Sequence, residues 1–201
     1  MTSPGLRIGL FGGAFDPVHV GHLQVADSFL KCNLIDELHL LPTAYPPHKQ
    51  DHKSTSFHHR YEMLQIAFSS YDNVVINDLE SRLPKPSYTL QTIEYLQEQN
   101  PENLYFLCIG EDNLVSFHEW YKYETILQKV TLLVAARPDS DSSSQRQEIL
   151  ERAIFIDHPE IEISSTDIRN EEKLRESGQA VPGSIIEYIQ RHNLYADQIN
   201  K

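Results

Sequence analysis

Short apolar runs alternate with segments of helical period along most of this chain, and very few folds accommodate that alternation. The stretches "RIGLF" (7–11), "ELHLLPT" (37–43), "VVINDLE" (74–80), "LYFLCIG" (104–110) and "TLLVAAR" (131–137) read as strands. Between them, 20–32, 57–69, 90–100 and a short segment around "YETILQK" read as helices. In the first helix Val20, Leu23, Ala26, Phe29 and Leu30 share one face. Strands that are apolar on nearly every residue, rather than on alternate ones, must be covered on both faces. That requires a parallel sheet with helices on either side, so the expected class is α/β, a doubly wound, Rossmann-like parallel sheet. Ligands bind such sheets outside the carboxyl ends of the strands. The polar, motif-like stretches 12–22, 43–49, 84–89, 110–120 and 137–138 all follow strands.

Beyond the fifth strand, "RPDSDSSSQRQ" (137–147) reads as a surface loop. It is followed by a helix near 145–152, strands at "AIFID" and "IEIS", and helices at "TDIRNEEKLRES" and "GSIIEYIQRHN". Pro182 suits the start of the last helix. A chain of 201 residues fits one domain (1–201) with a C-terminal helical part at about 164–195. No apolar run reaches the ~18 residues of a membrane span, and "MTSPGLRIGLFGG" lacks the layout of a secretory signal. Cys32 and Cys108 alone make neither a disulfide framework nor a zinc ribbon, so the expected location is the cytoplasm. The net charge of -12 argues against a nucleic-acid or anionic-membrane partner. It leaves room for small anions in a cleft where donors cluster, and for a homo-oligomer.

The stretch "GGAFDPVHVGH" (12–22) is richer than a turn requires. Gly12 and Gly13 remove side chains where the first strand ends, so that a phosphate can approach backbone N–H groups. Asp16 and Pro17 suit a helix start, Asp as cap and Pro with its φ preset. His19 and His22, three apart, fall on one face of a first helical turn, and Gly21 leaves room beside them. Paired histidines also bind zinc or iron, though only Asp16 stands near to complete a site, and they can simply cap or pack. An HxGH pattern directly after a Gly-Gly strand exit favours a nucleotide site in which both imidazoles donate to phosphate oxygens.

This stretch resembles the signature that HxGH nucleotidyltransferases share with class I aminoacyl-tRNA synthetases. "PPHK" (46–49), "RYEML" (60–64), "SYT" (87–89), "GEDN" (110–113), "FHEW" (117–120), "ARP" (136–138) and "ISSTDIR" (163–169) follow in the order found in bacterial nicotinate-nucleotide adenylyltransferases. The likeness runs from Leu6 to Tyr195. Two positions depart from it: relatives commonly carry a small residue where Glu111 stands and threonine where Ala14 stands.

Several motifs also have a direct physical reading. "ISSTDIR" sets hydroxyls, backbone N–H groups and Arg169 around one anion. His48 and Lys49 add positive charge in a loop after the second strand. Thr89 suits a helix N-cap, and Trp120, the only tryptophan, suits stacking on a flat ring or burial in the core. Asp112 stands at a strand end, placed to accept from a ribose hydroxyl.

The resemblance implies transfer of AMP from ATP, supplied with Mg²⁺, to nicotinate mononucleotide, giving deamido-NAD and pyrophosphate. It implies catalytic roles for His19, His22 and Arg169. The ATP site would comprise Gly12, Gly13, Phe15, His19, His22, Gly110, Asp112, Ser165, Thr166 and Arg169. The nicotinate-nucleotide site would comprise Asp16, Thr43, His48, Lys49, Thr89, Trp120 and Arg137. No protein ligand to a metal is expected. Two alternatives stand beside this reading: a related adenylyltransferase acting on NMN or pantetheine phosphate, and an ATP-binding module without turnover.

Overall fold

The computed structural model describes residues 5–46, 54–136, 146–159, 163–169 and 180–195. Its strands are β1 (Arg7–Gly13), β2 (Glu37–Pro42), β3 (Val74–Ile76), β4 (Leu104–Gly110), β5 (Thr131–Ala136) and β6 (Ala153–Asp157). They form one six-stranded sheet in the order β3-β2-β1-β4-β5-β6, parallel throughout. The helices are α1 (Val20–Lys31), α2 (Phe57–Ala67), α3 (Thr89–Gln99), α4 (Glu111–Ser116), α5 (Tyr123–Lys129), α6 (Gln147–Leu150), α7 (Ser165–Ile168) and α8 (Gly183–Arg191). Strand order reverses direction between β1 and β4, which opens a crevice at the carboxyl ends of those two strands.

The inner strands β2, β1, β4 and β5 are buried on both faces of the sheet, and their two-residue period divides the side chains between two cores. Ile8, Leu10, Leu107, Ile109, Leu132 and Val134 meet Ile93 of α3, Leu114 of α4 and Ile126 of α5. Phe11, Leu38, Leu40, Cys108, Leu133 and Ala135 meet Phe29 of α1, Leu64 of α2 and Ile185 of α8. A strand flanked this way has no solvent face, which is why the apolar runs are nearly continuous. No helix among the described residues is long and apolar enough to cross a membrane.

Three differences from the sequence expectation have local causes. The third strand stops at Ile76, because Asn77 Oδ1 accepts from the Leu79 N–H at 2.9 Å and turns the chain into a 3-10 turn at Leu79–Ser81. Ile163 and Ser164 of "IEIS" are not strand: Ser164 is the N-cap of α7, its Oγ accepting from the Asp167 N–H at 3.1 Å. The rest of that stretch lies outside the described residues, as do 137–145 and 170–179. Asp16 and Pro17 do not start α1. The helix begins at Val20 with His19 as its N-cap, and the Asp16 carboxylate is committed elsewhere.

Candidate active site

The carboxyl ends of β1, β2 and β4 bring Gly12, Gly13, Thr43 and Gly110 to one edge, the Thr43 N–H donating to the Gly13 carbonyl at 2.9 Å. The two glycines differ in what they accommodate. A Cβ on Gly13 would lie 3.0–3.2 Å from the Phe15 ring, so this glycine is needed for Phe15 to pack. A Cβ on Gly12 would meet only the Leu41 carbonyl oxygen, at 3.9 Å. Phe15 is only 1% exposed and holds φ at +50°, a region bulky residues avoid unless their surroundings enforce it. Its ring packs edge-on against Phe11 (5.6 Å between centroids) and His22 (4.9 Å). The Phe15 side chain is therefore not available to a ligand.

His19 and His22 come together as the spacing implied, with ring centroids 3.8 Å apart. The His22 Nδ1 accepts from the His19 backbone N–H at 3.2 Å, satisfying one of the free donors at the helix start. That contact leaves the His22 proton on Nε2. Burial moves the His19 pKa down to about 4. Burial, joined by the neighbouring His19, holds His22 well below the ordinary imidazole range. Both rings are thus neutral near pH 7, each carrying one N–H rather than a fixed positive charge.

Asp16 is 4% exposed, and both carboxylate oxygens are occupied. Oδ1 accepts from the Tyr195 hydroxyl at 2.7 Å and Oδ2 from the Thr55 N–H at 3.1 Å. Arg169 Nη1 donates to the Asp16 carbonyl at 2.7 Å, and Nη2 to the Thr166 Oγ1 at 3.0 Å. The Ser165 hydroxyl donates to the Pro17 carbonyl at 3.1 Å. Arg169, Thr166 and Ser165 are therefore docked onto the signature loop although some 150 residues separate them from it in sequence.

On the other flank the Tyr45 N–H donates to the Ser87 Oγ at 3.0 Å, and the Ser87 N–H donates to the Tyr45 carbonyl at 2.9 Å. This bridge ties the segment containing Thr43 to the one containing Thr89. Thr89 is the first residue of α3 and Tyr88 is its N-cap, so the Thr89 hydroxyl is not consumed in capping. The Tyr88 and Tyr121 rings stack at 4.4 Å, bringing together the segments that carry Thr89 and Trp120. Trp120 is half-buried and packs on Phe117 at 5.2 Å. Gly110 is the N-cap of α4, and Asp112 stands exposed in the first turn of that helix. His48, Lys49 and Arg137 lie outside the described residues.

Three supporting residues carried no assigned role at the sequence level. Arg60 is 3% exposed and donates to the carbonyls of Thr55 (3.0 Å), Ala14 (2.7 Å) and Thr43 (2.8 Å), cross-linking both flanks of the cleft. Burial lowers its pKa, while Asp16, Tyr195 and Glu80 act in the opposite direction. Its sequence signal was present: Arg60 shares one helix face with Met63 and Leu64, where a cation is out of place unless its donors are satisfied inside. Glu80 is buried in the 3-10 turn, and Tyr195 is buried just beyond α8. Among the described residues no three His, Cys, Asp or Glu side chains are grouped to hold a metal ion.

A doubly wound parallel sheet whose first strand runs through two glycines into an HxGH helix start, with an arginine docked on that loop, defines an HxGH-type nucleotidyltransferase. The sequence matches the cytidylyltransferase-like family over residues 10–171. Nicotinate-nucleotide adenylyltransferase of Bacillus subtilis is 34% identical over 190 residues, covering 94% of this chain and 98% of that protein. A probable enzyme of the same name from Rhodopirellula baltica is 44% identical over 174 residues, covering 81% of this chain and 80% of the relative. Plasmodium falciparum nicotinic acid mononucleotide adenylyltransferase, solved in complex with NaAD, superposes with a TM-score of 0.80 at 23% identity. The match covers 95% of this chain and 98% of that one, a likeness of fold. The chain belongs to the cytidylyltransferase-like family and, within it, to the nicotinate-nucleotide adenylyltransferases.

Proposed function

We propose that this enzyme transfers the AMP moiety of ATP to nicotinate mononucleotide, forming deamido-NAD and releasing pyrophosphate. The observation that carries the reading is the assembly of His19, His22, Thr166 and Arg169 on one loop at the carboxyl end of β1. It is reinforced by full-length relatives named for this activity. A phosphate oxygen of the mononucleotide attacks the α-phosphorus of ATP. A new P–O bond forms as the bond to the α,β-bridging oxygen breaks, and the electron pair leaves with pyrophosphate. The attacking oxygen is already ionised, so no protein base is required and no covalent enzyme intermediate forms. Catalysis then consists of bringing two anions together and stabilising the charge that develops.

The neutral imidazoles suit this task. An Nε2–H held by the Nδ1 contact donates to a phosphate oxygen without first losing a proton. Placing an anion there favours the charged imidazolium as charge accumulates, opposing the effect of burial. Arg169 and the Thr166 hydroxyl would face the β- and γ-phosphates. Gly110 and Asp112 would take the adenosine portion, with Ser165 and the backbone of Gly12, Gly13 and Phe15. The ion would be part of the substrate: Mg²⁺ would come with ATP and neutralise phosphate charge.

Thr43, Thr89 and Trp120, joined by the Tyr45–Ser87 bridge and the Tyr88–Tyr121 stack, would form the pyridine side, with His48, Lys49 and Arg137 as further ligands. Asp16 serves this site by holding its frame, since both carboxylate oxygens are already engaged. The free thiols Cys32 and Cys108 support a cytoplasmic setting. ATP labelled at the α-phosphorus tests the reaction. Label should appear in a dinucleotide product and none on denatured protein; retention of label in ATP alone would leave a nucleotide-binding module.

A further inference from the structure

Glu80 is a buried carboxylic acid that the reaction does not use. It is 7% exposed, and its Oε2 is buried with no hydrogen-bond partner. The chain around it explains why an acid sits there. Leu79–Ser81 forms a 3-10 turn in the chain between the two segments that meet through Tyr45 and Ser87. The Ala44 N–H and the Ser87 side chain both approach the Glu80 carboxyl, one from each segment. Ala44 follows Thr43, and Ser87 lies two residues before Thr89.

We propose that Glu80 is a positioning residue that also sets specificity for the pyridine substrate. It holds the segments carrying Thr43 and Thr89 in register through Ala44 and Ser87, and it governs by its charge how well an anionic ring substituent is accepted beside them. This rests on the pyridine side of the site proposed above.

Glu80 reaches that position at an electrostatic cost. Burial moves its pKa from 4.5 up to about 7, opposed by the Ala44 N–H, the Ser87 side chain and the Arg60 guanidinium of α2. Arg60 is the charge that faces it, and Arg60 is itself shared with Asp16 and Tyr195. The charges flanking the turn, Asp78 and Arg82, pair with each other at 2.7 Å, and Lys85 Nζ lies over the Tyr45 ring at 3.9 Å. A neutral Glu80 presents no repulsion to a substrate carboxylate. An ionised one places like charge behind the pocket in a region water does not screen. A substrate bearing an uncharged amide does not feel that change.

The test measures kcat and KM for nicotinate mononucleotide, its amide counterpart and ATP between pH 6 and 9, in the unaltered enzyme, Glu80→Gln and Glu80→Ala. KM for the carboxylate substrate is expected to rise several-fold above pH 7 in the unaltered enzyme and to stay level in Glu80→Gln. KM for the amide substrate and for ATP is expected to show no such rise in either. Glu80→Ala, which breaks the link between the segments, should raise KM for both pyridine substrates at every pH, with the effect falling on KM rather than kcat. A rise of KM shared by Glu80→Gln, or a Glu80→Ala effect confined to kcat, overturns the assignment alone. Absence of transfer to either pyridine nucleotide by the unaltered enzyme overturns the functional reading and this assignment with it.

Discussion

Replacing His19 with Asn changes how stability depends on pH in a way the structure makes quantitative. Asn is a good N-cap, so the variant keeps a side chain able to start α1 while removing the titrating group. Burial lowers the His19 pKa from 6.5 to about 4 in the folded protein. The unfolded chain therefore binds a proton more readily, and stability must fall as pH drops below the unfolded value. The stabilisation is fully present above pH 6.5 and is lost as pH falls toward 4. The shift corresponds to about 3 kcal/mol once both states are protonated. Near pH 5 the folded state is still mostly neutral while the unfolded one is mostly charged, which makes the penalty about 2 kcal/mol. Urea denaturation of both proteins near pH 5 and pH 8 measures this directly. Every other titrating group is common to the two, and His19 also acts on His22, so the double difference reads His19 together with its effect on His22. The variant should gain about 2 kcal/mol on the unaltered protein in moving from pH 8 to pH 5. An unchanged difference at the two pH values would refute the claim that His19 is buried in its neutral form.

Glu80→Gln should behave in the opposite sense. The folded pKa is raised from 4.5 to about 7, so the unaltered protein loses stability as pH climbs through that window. The variant's relative stability should then grow by about 3 kcal/mol between pH 4 and pH 8. Tyr195→Phe removes the 2.7 Å donor to the buried Asp16 carboxylate and should destabilise the fold by about 1.5–3 kcal/mol. A midpoint of thermal unfolding equal to that of the unaltered protein would contradict that role. His22→Ala should lower kcat by about two to three orders of magnitude, the loss of one donor aimed at developing charge, with circular dichroism unchanged. A folded variant of normal turnover would remove His22 from the mechanism.

The parallel sheet and its cleft were legible because they depend on local period. Uninterrupted apolar strands such as "LYFLCIG" and "TLLVAAR" have only one way to be buried, and glycines after a strand mark where a ligand can come close. Asp-Pro suits a helix start by capping rules that are local too. The structure starts that helix at Val20, as the 20–32 period implies, but caps it with His19 and commits Asp16 to Tyr195 and Thr55, partners 179 and 39 residues away. The supporting frame was hidden for the same reason. Arg60 reaches the carbonyls of Ala14 and Thr43, and Glu80 faces Ala44, pairings that exist only once the sheet has formed. The place a Cβ on Gly13 would take is filled by the Phe15 ring, and no one-dimensional spacing reveals where a ring turns inward.

The most direct test of the account compares kcat/KM for pyrophosphate release from ATP and Mg²⁺ with nicotinate mononucleotide, its amide counterpart and pantetheine phosphate as acceptors. The account predicts release with a marked preference for the nicotinate substrate. Efficient release with pantetheine phosphate, or ATP binding without release for any acceptor, would contradict it.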